Sequence, residues 1–126
     1  MEFQSVSPNL YVSHLATSMY FYTQLGFSAT AVFPEGDEPI FAMMQNNGVT
    51  ILLQTIDSLG DDLPEIPRQR SGAILLYFQV NKIRELAEKV GSFTAILKPL
   101  ETTFYGATEF SVVDPDGFVL TFAEDE

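Results

Sequence analysis

The spacing of apolar and polar positions changes several times along the chain, and each change marks an element. Residues 7–12, Ser-Pro-Asn-Leu-Tyr-Val, alternate, with Leu10 and Val12 on one face and Ser7, Asn9 and Tyr11 on the other, which predicts a strand. Leu15, Met19, Tyr22 and Leu25 then recur at helical spacing. Ser13 or His14 stands at the cap position, and Gly26 follows as a terminator. Strand patterns return over residues 27–33, 40–44 and 49–54, interrupted by the loop-like segment 34–39 and by the turn Asn46-Asn47-Gly48. The first half therefore reads as strand, helix and three strands.

The second half repeats that order. Residues 73–80 form a strand pattern, with Leu76, Phe78 and Val80 on one face and Leu75, Tyr77 and Gln79 on the other. Asn81 is placed to cap a helix whose stripe is Ile83, Leu86, Ala87 and Val90, and Gly91 closes it. Residues 93–98, 107–113 and 118–123 supply three more strands. The last two are joined by Asp114-Pro115-Asp116-Gly117, in which Pro presets φ and Gly supplies the left-handed residue. Between the halves, residues 56–71 hold two prolines, several acids and no sustained period, so they read as a linker, with Leu59, Leu63 and Ile66 as its packing residues.

Sliding the second half onto the first places Val12 on Val80, Leu15 on Ile83, Met19 on Ala87 and Tyr22 on Val90. It also places Gly48 on Gly117, Ile51 on Leu120 and Leu53 on Phe122. The expectation is one domain built from two βαβββ modules, residues 1–55 and 72–126, neither large enough to bury its own sheet face well.

Composition narrows the function classes. With 126 residues, 46% hydrophobic and 18% charged, the chain is a packed globule of one domain's size. No apolar run approaches the roughly 20 residues of a membrane span, and the start Met1-Glu2-Phe3-Gln4 lacks the basic region of a signal peptide, so a soluble, cytoplasmic protein is expected. The absence of cysteine removes disulfides, thiolate metal sites and cysteine nucleophiles. A net charge of −11 with only six Lys and Arg argues against nucleic-acid and anionic-membrane partners. Such a field attracts cations; the plainer reading is that the acidity serves solubility.

Pro8-Asn9-Leu10-Tyr11-Val12, the segment Tyr20-Phe21-Tyr22-Thr23-Gln24-Leu25-Gly26-Phe27, Tyr105-Gly106 and Asp114-Pro115-Asp116-Gly117, taken with the repeat, resemble the vicinal oxygen chelate superfamily of glyoxalase I, extradiol dioxygenases and bleomycin-resistance proteins. In length, acidity and the stretch from Pro8 to Phe27 the chain is most similar to the bleomycin-resistance branch. The resemblance implies an α+β fold in which two βαβββ modules form a curled mixed sheet with a cleft, completed in a homodimer. It also implies that a family enzyme would carry metal ligands, mostly His and Glu, at the positions held here by Ser7, Leu52, Leu75 and Thr121. None of the four is a serviceable ligand, so no metal and no other cofactor is expected. The single histidine, His14, lies at a helix entrance, where a surface or capping role is the plain reading and a general base or lone ligand the functional one.

The polar residues in phase with the cleft face are the candidate ligand-binding set: Asn9, Tyr11, Thr50, Gln54, Tyr77, Gln79, Glu109, Ser111 and Thr121, interspersed with Leu52, Leu75 and Val119. Glu109 on that face would bind a cationic ligand, unless it lies at an edge facing water. The expected function is metal-independent small-molecule binding, with a cationic antibiotic or metabolite as the ligand sequestered. Two alternatives stay open: a metal-dependent lyase or dioxygenase of the same superfamily, and a partner-binding module whose sheet faces are filled by their own side chains.

Overall fold

The fold is built from β1 (Asn9–Val12), α1 (Leu15–Leu25), β2 (Ser28–Phe33), β3 (Phe41–Asn46), β4 (Val49–Thr55), β5 (Leu75–Gln79), α2 (Ile83–Gly91), β6 (Ile96–Thr102), β7 (Ala107–Val113) and β8 (Val119–Asp125). These elements come from a computed structural model that describes residues 1–36, 38–70 and 72–125. Asp37 of the expected loop, Ser71 at the end of the expected linker and the final Glu126 lie outside the described residues. The chain separates into two compact units, residues 1–71 and 72–126. Each carries one four-stranded mixed sheet and one helix, in the strand orders β1-β4-β3-β2 and β5-β8-β7-β6, so the class is α+β. β1 runs parallel to β4 and β5 to β8, while the hairpin-linked strands pair antiparallel.

The pairing registers match the internal repeat residue by residue. Leu10 lies opposite Leu53 and Asn9 opposite Leu52. At the corresponding places Phe78 lies opposite Phe122 and Tyr77 opposite Thr121. In each unit the helix covers one sheet face. Leu10, Val12, Met44, Ile51 and Leu53 are buried with Leu15, Tyr22 and Leu25 in the first unit, and Phe110, Val112, Leu120 and Phe122 with Ile83 and Val90 in the second. Phe78, Phe122 and Phe110 are neighbours across three strands, and their rings stack with centroids 5.4 and 5.0 Å apart.

Several local expectations need correction. Met19 is half-buried, whereas Ser18 and Phe21 are buried, because the covered arc of α1 runs through Leu15, Ser18, Tyr22 and Leu25. His14 is the N-cap residue of α1 but makes no side-chain capping bond. Asn81 does not cap α2: Lys82 takes the N-cap position at φ 52°, and Glu124 of β8 accepts the N–H groups of Lys82 and Ile83, each at 3.1 Å. That carboxylate also sits where the helix dipole favours negative charge. Gly91 is the last helical residue, and Ser92 closes the helix by donating its hydroxyl to Lys89 O at 2.6 Å.

β6 lies several residues beyond the expected segment 93–98. Its register slips between Ile96 and Lys98 and again between Lys98 and Glu101, the second slip containing Pro99, which has no N–H to donate. The linker begins as a short 3₁₀ helix, Ile56–Leu59, with Leu59 buried, Ile66 half-buried and Leu63 exposed. Arg68 gathers the rest, its guanidinium donating to the carbonyls of Gly60, Asp62, Leu63 and Ile66.

Candidate functional site

Strand pairing in the second unit lays two rows of side chains across the face opposite α2. One runs Lys98, Ser111, Thr121, Tyr77 and the next Glu101, Glu109, Ala123, Gln79, in each case from β6 through β7 and β8 to β5. Two residues along an antiparallel strand separate the rows by about 6.8 Å. The alternation that buries Phe110 and Val112 against α2 puts Glu109 and Ser111 on this face.

A cavity of about 310 Å³ opens here. Tyr77, Lys98, Tyr105, Glu109, Ser111 and Thr121 give it polar groups, and Leu75, Leu97 and Val119 form its apolar wall. Glu109 is its electrostatic centre. The Tyr77 hydroxyl donates to Glu109 Oε2 at 2.5 Å, and the Tyr105 hydroxyl donates to the same oxygen. Hydrogen bonding to Glu109 is the main reason that both phenols are pushed above the ordinary tyrosine range, so each holds its proton to higher pH than an ordinary tyrosine. The Oε1 atom accepts no hydrogen bond among the described residues, which leaves it for a ligand donor. Deeper in, the Ser111 and Thr121 hydroxyls are buried and bond one another at 2.8 Å. Lys98 pairs with Glu101 at 3.2 Å, both side chains more than half exposed.

Of the sequence-expected ligand residues, the structure brings Tyr77, Glu109, Ser111 and Thr121 to this cavity, along with Leu75 and Val119. Gln79 is exposed on the edge strand and does not line it. Asn9, Tyr11, Thr50 and Gln54 belong to the first unit. There the Asn9 amide donates to Gln54 Oε1 at 3.1 Å and to the Tyr11 hydroxyl at 3.5 Å, and Gln54 donates to Ser58 Oγ at 3.0 Å. Thr50 stands apart from this chain and accepts from Gln45 at 3.0 Å. The Asn9 Oδ1 atom is buried with no hydrogen-bond partner among the described residues.

Sequence reasoning passed over Leu97, Lys98 and Tyr105. The first two sit on a strand whose bulges break the alternation on which facing arguments depend. Tyr105 lies in the turn between β6 and β7, outside any strand phase; its only signal was the Tyr105-Gly106 pair quoted for the family resemblance.

The donor set does not fit a metal ion. Leu75 and Thr121 line the cavity with an alkyl group and a hydroxyl, and Ser7 and Leu52 offer nothing better. Among the described residues, no three His, Cys, Asp or Glu side chains are grouped to hold one. His14 is exposed.

A family model described as the Glyoxalase/Bleomycin resistance protein/Dioxygenase superfamily matches residues 4–122. Solved structures similar to this chain include a hypothetical protein from S. aureus, with a TM-score of 0.78, 22% identity and coverage of 98% of this chain and 95% of that one. A protein of unknown function from Agrobacterium tumefaciens str. C58 gives a TM-score of 0.80 and 21% identity, covering 100% and 97%. A glyoxalase-related enzyme from Fulvimarina pelagi gives 0.78 and 23%, covering 98% and 89%. At these identities the structural matches show the fold alone. No curated protein matches the sequence.

Proposed function

Because the chain belongs to the Glyoxalase/Bleomycin resistance protein/Dioxygenase superfamily, we propose that it uses this fold to bind a small cationic molecule, without a metal, on the face of the second sheet that carries Glu109. One observation carries the reading: two phenols hold Glu109 by one oxygen at the wall of a cavity with one apolar side, and the other oxygen accepts no hydrogen bond among the described residues. A ligand ammonium or guanidinium would bond Oε1 in a charge-assisted hydrogen bond beside the two phenols. The net charge of −11 brings cations toward the site.

Within the superfamily this reading places the chain with the bleomycin-resistance branch, whose task is sequestration. At about 310 Å³ the cavity is near the lower end of the ligand-pocket range, which favours a metabolite or the cationic end of a larger antibiotic. A metal-dependent lyase or dioxygenase has less support, since its ligand positions are Ser7, Leu52, Leu75 and Thr121.

Thermal-shift screening and calorimetry with small amines, guanidines and bleomycin test the proposal. A ligand at about a hundred times its Kd adds roughly 2.7 kcal/mol of stability, and Glu109→Gln is expected to remove that gain. Stoichiometric zinc, nickel, manganese or iron in the purified protein would overturn the metal-free reading.

A further inference from the structure

We infer that the ligand of this cavity is a zwitterion of amino-acid type, its ammonium on Glu109 and its carboxylate on Lys98 and the hydroxyl pair Ser111/Thr121. The inference rests on the cation-binding reading of Glu109 and adds the second pole. Lys98 faces Ser111 directly across the β6–β7 ladder, in the row next to Glu109, so the cavity presents one cationic and one anionic side chain a short span apart.

Two features make the Lys98 end receptive to an anion. Among the described residues the ammonium is paired with Glu101 alone, both side chains more than half exposed, and such pairs contribute little, so a ligand carboxylate displaces Glu101 at small cost. The Ser111 and Thr121 hydroxyls carry two protons, of which their mutual bond uses one. Neither hydroxyl makes another hydrogen bond among the described residues, so the second proton is available to an acceptor in the cavity. A simple amine would satisfy Glu109 but meet the like charge of Lys98, which the exposed Glu101 pair offsets only in part. A simple carboxylate would meet Glu109 in the same way. A molecule carrying both charges satisfies both ends, and Leu75, Leu97 and Val119 receive its apolar side chain.

Matched pairs that differ only in the carboxylate test this: L-phenylalanine against phenethylamine, L-leucine against isoamylamine and L-arginine against agmatine, each by calorimetry on the full chain. At least one amino acid is expected to bind about tenfold more tightly than its amine, the scale of one charge-assisted hydrogen bond. Lys98→Gln is expected to weaken the amino acid and strengthen the amine, so that the preference vanishes or inverts; a merely damaged fold would weaken both. Amines that bind as well as or better than their amino acids, with a preference that Lys98→Gln leaves unmoved, would overturn the zwitterion and leave the cation reading standing. Failure of every compound to bind a cooperatively folded protein would overturn both.

Discussion

A carboxylate oxygen that accepts two phenolic protons changes the acid strength of both donors. Ionising Tyr77 or Tyr105 would remove its bond to Glu109 and set a phenolate beside a carboxylate, so each phenol resists losing its proton. The sign follows: as pH rises past the ordinary tyrosine value of about 10, both remain neutral after unperturbed phenols have ionised. Ultraviolet titration of the phenolate band should therefore show two late-ionising tyrosines, and Glu109→Gln should return both toward the ordinary range. Glu109 itself was legible as a cleft-face carboxylate from the phase set by Phe110 and Val112. Its attachment to Tyr105 was not, because a turn residue has no phase to read.

At the scale of elements, side-chain acceptors finish structures that the local sequence leaves incomplete. In the β7–β8 turn, Asp114 Oδ1 accepts the N–H groups of Asp116 and Phe118, both at 2.9 Å, while Gly117 adopts φ 94°. Asp114, Asp116 and Phe118 are all buried. Asp114→Ala would leave two buried donors without their acceptor and is expected to cost about 2 kcal/mol, read as a lower denaturant midpoint at constant slope, with Asp114→Asn recovering much of the loss. The β3–β4 turn has a similar sequence but a different solution, since Asn47, at φ 56°, takes the left-handed position there. For α2, removing the remote cap by Glu124→Ala is expected to cost about 1 kcal/mol in the same assay. The Asp-Pro-Asp-Gly turn was legible because its acceptor lies within the motif. The cap was not, because Glu124 is more than 40 residues from the N–H groups it receives.

At the scale of the whole molecule, two identically wired units are joined by a linker that Arg68 draws together through four carbonyls. Arg68→Ala is expected to make residues 60–68 a preferred site for proteinase K while changing global stability by no more than about 0.5 kcal/mol, because these groups are exposed. The charge of −11 predicts that binding of a simple cation weakens severalfold between about 20 mM and about 0.5 M salt, where the screening length shrinks from tens of ångströms to a few. A zwitterion bound at both poles has no net charge to screen and should be far less salt-dependent, so the same calorimetry separates the two ligand classes.

The hydrophobic pattern and its repeat were enough to determine the α+β class, the order of elements and most of the helix-facing cores, while the family resemblance came from particular stretches such as Pro8–Val12 and Asp114–Gly117. Period and turn chemistry are local properties, and duplication states them twice. Only the tertiary structure decided which polar residues meet. Tyr77 and Glu109 come from strands separated by β8, Tyr105 folds back from a turn, and Lys98 enters through a bulged strand whose register no alternation predicts. The placements of Tyr77 and Lys98 depend on hydrogen-bond pairing between separate strands, and that of Tyr105 on a turn geometry that no hydrophobic period encodes.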